Sequence, residues 1–146
     1  WLALRMVQSE MFDEALELLA KAREEEVVDP AAYYYAGAMS HYHLGHREEA
    51  MTSVQNLLRV EDAPHRYTAM AGLLGLDIAQ RDPASLGGVA QEMRDIRRRL
   101  DLGKTDKKVR DIEDNVLNRL DTIIEELEKQ QQQQQQQPGN NLQPNK

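Results

Sequence analysis

Small residues recur in pairs along this chain. Ala3 and Ala15, Ala38 and Ala50, and Gly75 and Gly87 each lie twelve positions apart, and the pairs follow one another at steps of 35 and then 37 residues. A period in this range is the signature of a solenoid built from one repeated supersecondary unit. Two antiparallel helices joined by a short turn approach closely only where both lack a bulky side chain. One small residue on each helix, opposed across the turn, makes that contact. A single pair cannot bury both of its faces, so pairs must stack.

The punctuation agrees with helices throughout. Asp29-Pro30 and Asp82-Pro83 each set a carboxylate that can cap ahead of a proline that suits the first helical position. Pro64 is a third start signal. Gly45 and Gly103 sit where helices should stop. Between these marks the spacing predicts helices over 1–8, 12–26, 31–44, 47–60, 64–80, 84–101 and 105–129. Apolar residues make up 40% of the chain, with one Phe and one Trp, so the core must be Leu, Ala, Val, Ile and Met, a palette suited to packed helices. No window alternates as a strand would.

The period and the small pairs resemble the tetratricopeptide repeat. The middle unit carries that motif as Tyr34, Ala38, Gly45, Ala50, Val54 and Leu57. The first, truncated at its start, keeps Leu2, Ala3, Met6, Ala15, Leu19 and Ala22. The third is degenerate around Gly87-Gly88, and Gln91 stands where an apolar residue is expected. The resemblance covers about residues 1–100 and implies an all-α fold of about three stacked helix hairpins within 1–103. It also implies a concave groove lined by the first helix of each pair. Carried over by register, Tyr35, Met39, Tyr42 and His43 would face it from the middle unit. Leu4, Val7 and Gln8 would join from the first, and Gly72, Leu76 and Ala79 from the third. The family's lysine and asparagine clamp for a terminal carboxylate has no counterpart at the matching positions. The implied function is a non-catalytic scaffold for a protein or peptide.

Other chemistry is thinly represented. The net charge is −7, unfavourable for nucleic acid. The one basic spot, Arg94 with Arg97, Arg98 and Arg99, is flanked by Glu92, Asp95 and Asp101 and reads as a solvated helix face. There is no Cys, hence neither disulfides nor thiolate chemistry, which fits a reducing cytosol and equally a thiol-free periplasmic protein. No apolar run reaches membrane-spanning length. His41, His43 and His46 do not share a helix face, so no metal is expected, and no cofactor either. The carboxylates read as exposed, with no shifted pKa expected, and no catalytic residue is identified. A chain beginning at Trp1 is expected to be a fragment or a processed form.

After Gly103 the character changes. Val109, Ile112, Val116, Leu117, Leu120, Ile123, Ile124 and Leu127 stripe one amphipathic helix over 104–129, with Thr105 or Asp106 as its cap. The stripe is expected to dock on the repeats as a capping helix. Self-association through 105–129, giving a homo-oligomer or coiled coil, competes with it, and a structural or oligomerising role is the alternative function. Mixed charge disfavours a membrane surface. Gln130 to Gln137, then Pro138-Gly139-Asn140-Asn141, open a low-complexity tail over 130–146, expected to be disordered although its first glutamines can extend the helix.

Overall fold

The computed structural model describes residues 1–23 and 26–135 and is all-α, with no strand among the described residues. Its helices are α1 (Leu2–Gln8), α2 (Phe12–Leu19), α3 (Pro30–His43), α4 (Arg47–Leu58), α5 (His65–Gln80), α6 (Leu86–Asp101) and α7 (Lys107–Gln135). The punctuation does what it promised at several ends. Asp29 accepts a hydrogen bond from the Ala32 amide at 2.9 Å, with Pro30 in the first turn. Gly45 and Gly103 take φ of 77° and 72°, the left-handed conformation that ends a helix without a β-carbon clash. Asp106 caps α7 through the Val109 amide at 3.3 Å. The second helix is shorter than expected, ending at Leu19 rather than 26.

In the first part of the chain, α1 packs on α2 and α3 on α4, while α2 also meets α3 and α4 meets α5. The first and third helices touch, as do the third and fifth. The small residues sit at these close approaches: Ala15, Ala38 and Ala50 are all at 0% exposure. A β-carbon added to Gly37 would meet Ser53 Oγ at 3.3 Å. One core joins Ala38, Ala50, Val54, Leu57, Tyr67, Ala71, Leu74 and Ile78. A second gathers Ala3, Val7, Phe12, Ala15 and Ala36.

The third expected pair does not form. The Gly75 position faces Val54, and the Gly87 position meets only Ser85, so these glycines do not oppose each other. Instead α6 packs along α7. Asp82-Pro83 makes a turn rather than a helix cap. Asp82 accepts from the Ala84 amide at 2.9 Å and from the Ser85 hydroxyl through its carbonyl, and helix resumes only at Leu86. That loop swings α6 back past the turns joining α1 to α2 and α3 to α4, where its arginines reach Glu10 and Asp13. The terminal helix then docks within the chain through its first half. Val109 and Val116 are buried, and Arg119 pairs with Glu92 at 2.5 Å. Leu117, Ile124 and Leu127 of the expected stripe stay exposed. Of the tail expected to be disordered, Gln130 to Gln135 continue α7, and 136–146 lie outside the described residues. None of the described helices is long and apolar enough to cross a membrane.

One turn residue breaks a local rule. Glu10 lies 35 positions before Gly45, in the equivalent turn, and takes φ of 58°. A non-glycine residue there costs about 1 kcal/mol. Glu10→Gly is therefore expected to raise stability by about 0.5–1 kcal/mol, less whatever the freer unfolded chain takes back. Thermal unfolding reads this as a higher midpoint. A lower midpoint would mean that the Glu10 side chain itself holds the turn.

Candidate functional site

The angle at which α6 crosses the hairpins leaves an open cleft of about 680 Å³. Val7 and Gln8 of α1 and Met39, Tyr42 and His43 of α3 form one side, with Arg94, Arg97 and Asp101 of α6 on the other. Five of the ten residues expected in a groove, Val7, Gln8, Met39, Tyr42 and His43, thus come together. Tyr35 does not line this cleft; it stacks on Tyr67 with ring centroids 4.3 Å apart. Leu76 also lies outside it and is exposed on α5.

Each aromatic wall residue is fixed by its neighbours. The Tyr42 hydroxyl donates to Asp77 at 2.8 Å and accepts from Arg81 at 2.7 Å. Arg81 also donates to the Gln91 side chain, whose amide donates to the Tyr42 carbonyl at 2.5 Å. This ring ties α3, α5 and α6 together and explains why Gln91 occupies a position where an apolar residue was expected. Burial raises the Tyr42 pKa, with its bond to Asp77 adding to it. His43 stacks flat on Phe12, centroids 4.4 Å apart. Burial lowers its pKa, so the neutral ring is favoured. On the opposite wall Arg94 is exposed and has no ion-pair partner among the described residues, while Arg97 is only loosely paired with Asp101 at 3.7 Å.

Beneath the cleft lies a buried charge network that corrects the reading of the arginine run as a solvated face. Arg98 and Arg99 are 6% and 2% exposed. Arg99 donates to Asp95 at 2.8 Å and to Asp13 at 3.0 Å. Arg98 reaches Asp95 at 3.0 Å, Asp13 at 3.1 Å and the Glu10 carbonyl at 2.8 Å. Its guanidinium also lies 5.1 Å from the Phe12 ring centroid. Lys108 of α7 adds a bond to Asp13 at 2.9 Å, and Lys104 pairs with Glu14. The expectation of unshifted carboxylates fails here as well. Burial raises the Asp13 pKa, but the hydrogen bonds from Lys108, Arg99 and Arg98 outweigh it and hold the carboxyl well below its usual range.

The geometry offers little else for chemistry. His41 and His46 approach through their Nδ1 atoms at 3.3 Å, away from His43, and no group of three metal-binding side chains occurs among the described residues. An adjoining cavity of about 220 Å³, which shares Tyr42, His43, Arg81, Gln91 and Asp95 with the cleft, lies between the hairpin turns and the α6–α7 pair. The α6 contribution to the cleft was not legible in the spacing, because the resemblance assigned that helix to a hairpin with α5. Comparison with family models, with curated proteins and with solved structures finds no match to the chain.

Proposed function

We propose that this chain is a non-catalytic binding module of the tetratricopeptide type, whose cleft takes a peptide or protein segment carrying apolar and acidic side chains. The observation behind this reading is the contrast between the two cleft walls. Val7, Met39, Tyr42 and His43 present apolar and aromatic surface, and exposed Arg94 faces them with no ion pair among the described residues. Peptide grooves take apolar side chains into apolar pockets, arginines receive acidic motifs, and Tyr and Arg are over-represented among the residues that carry binding energy. The perturbed carboxylate Asp13 and its neighbour Asp95 are committed to arginines, which supports a structural rather than a proton-transferring role. The alternation of α1 to α5 and the burial of Ala15, Ala38 and Ala50 support the tetratricopeptide reading. The displaced α6 is the departure from it, and it is the departure that supplies the basic wall.

The test is selection of binders from a displayed random-peptide library on the purified chain. Enriched peptides should combine apolar and acidic residues. They should lose at least about tenfold in affinity, or roughly 1.4 kcal/mol, on Arg94→Glu and on Met39→Glu, with the helical circular dichroism of both variants preserved. Peptides that bind both variants as tightly as the parent would remove the cleft from consideration.

A further inference from the structure

The sixth helix is packed inside out. Its buried face toward the hairpins is charged, carrying Asp95, Arg98 and Arg99, while Leu86, Met93 and Leu100 on the far side are 62%, 54% and 48% exposed. At 3.6 residues per turn, Leu86, Ala90, Met93, Arg97 and Leu100 form a single seam with spacings of 4, 3, 4 and 3. The seventh helix has a matching one. Its Val109 and Val116 are buried. The adjacent line Arg110, Glu113, Leu117, Leu120, Ile124 and Leu127, spaced 3, 4, 3, 4 and 3, leaves Leu117, Ile124 and Leu127 at 61%, 51% and 55% exposure. The two helices run antiparallel. Arg119 meets Glu92 at one end, and Lys108 shares Asp13 with Arg99 at the other. The hairpins lie beneath both helices, so both seams open on the same outer face.

We infer that a second copy of this chain covers that face, the two α6–α7 pairs joining as a four-helix bundle. Three observations select this occupant. Apolar side chains at alternating spacings of three and four are what knobs-into-holes packing between helices uses. An antiparallel pair presenting two such seams is complementary to itself about a two-fold axis, which makes a closed, isologous interface. With that axis along the bundle, α6 of one copy faces α7 of the other. The one charge in the α6 seam, Arg97, then meets the one acid in the α7 seam, Glu113. An anionic membrane fits less well, because Glu113, Asp121 and Glu128 are exposed along the same edge and would be repelled by it. The dimer does not depend on the cleft having a peptide ligand: Met93, Glu113 and Leu117 lie outside the cleft, and of the residues that test the dimer Arg97 alone stands on the edge that seam and cleft share.

The experiment is light scattering and sedimentation of the full 146-residue chain over a broad dilution series. A concentration-dependent dimer is expected. Met93→Glu with Leu117→Glu should give a monomer with unchanged helical content, since both side chains are exposed in the single chain. Arg97→Glu and Glu113→Arg should each weaken the dimer by about tenfold, and combining them should restore most of the loss. A parent chain that stays monomeric at every concentration overturns the inference. So does a dimer insensitive to Met93 and Leu117, or a charge swap that fails to recover. Co-sedimentation of a monomeric parent with vesicles containing anionic lipid would give the face to a membrane instead.

Discussion

Arg99→Ala is expected to remove about 3–5 kcal/mol of folding stability, the cost of breaking a buried ion pair from one side. Arg99 is almost wholly enclosed, and its two hydrogen bonds go to Asp95 on its own helix and Asp13 on α2. Truncation leaves the buried Asp95 carboxylate with Arg98 as its one paired cation among the described residues and opens a void beside it. After Asp13→Ala both arginines keep Asp95, and Asp13 itself is less enclosed at 19% exposure, so that change should cost less. The same network predicts an acid transition. The Asp13 pKa is lower in the folded chain than in the unfolded one. Its contribution is therefore complete above the ordinary aspartate value of about 3.9 and is lost as pH falls below that toward the folded value. His41 and His43, whose pKa values burial lowers, add an earlier loss as pH falls through about 6.5. Urea denaturation followed by circular dichroism across a pH series measures both. In Asp13→Asn the step below pH 4 should shrink while the histidine step stays. If Arg99→Ala costs less than about 1 kcal/mol, the network is a surface-like one and does not fix α6.

That network is also where sequence reasoning ran out. Local signals carried the helix ends well, because each rests on one residue's own conformational preference: Asp29-Pro30 starting α3, Gly45 and Gly103 closing helices. The pairs Ala3 with Ala15 and Ala38 with Ala50 carried the first two close approaches, since only small residues fit there. The third pair had the same spacing but misled. Spacing says that a helix can approach closely, not which neighbour it approaches. The twelve-residue spacing and the resemblance together sent α6 toward α5. The deciding contact joins Arg98 to Asp13 across 85 positions, and no spacing rule reports a charge partner that distant. The matching turn falls between the helices expected over 1–8 and 12–26, but its left-handed residue was not legible, because Glu10 adopts a glycine-like conformation without being glycine. Met39, Tyr42 and His43 were found because α3 was placed correctly, and Val7 and Gln8 because α1 was. The arginine wall was missed because it belongs to the helix that was not.

Two neighbouring glycines at the start of α6 give opposite expectations. A β-carbon at Gly88 would collide with the Pro83 carbonyl and come within 2.7 Å of Arg119 Nη2. The carbonyl belongs to the loop that redirects α6, and Arg119 is the residue through which α7 pairs with Glu92. The guanidinium can swing aside only by giving up Glu92, and the backbone carbonyl cannot yield without moving the loop, so Gly88→Ala is expected to cost about 3 kcal/mol, at the upper end for overpacking. At Gly87 an added β-carbon meets only the Ser85 hydroxyl, at 3.4 Å, an ordinary contact. There the gain in helix propensity prevails, and Gly87→Ala should stabilise by about 0.5 kcal/mol. Denaturation midpoints of the two single variants, compared in one experiment, therefore report on the loop geometry and not on helix propensity, which favours alanine at both positions. If α6 instead closed a hairpin with α5, Gly87 would be the crowded position, because it is the partner of Gly75 in the twelve-residue spacing. Gly87→Ala would then be the damaging change and Gly88→Ala the tolerated one, and that reversal of sign would reject the packing of α6 described above.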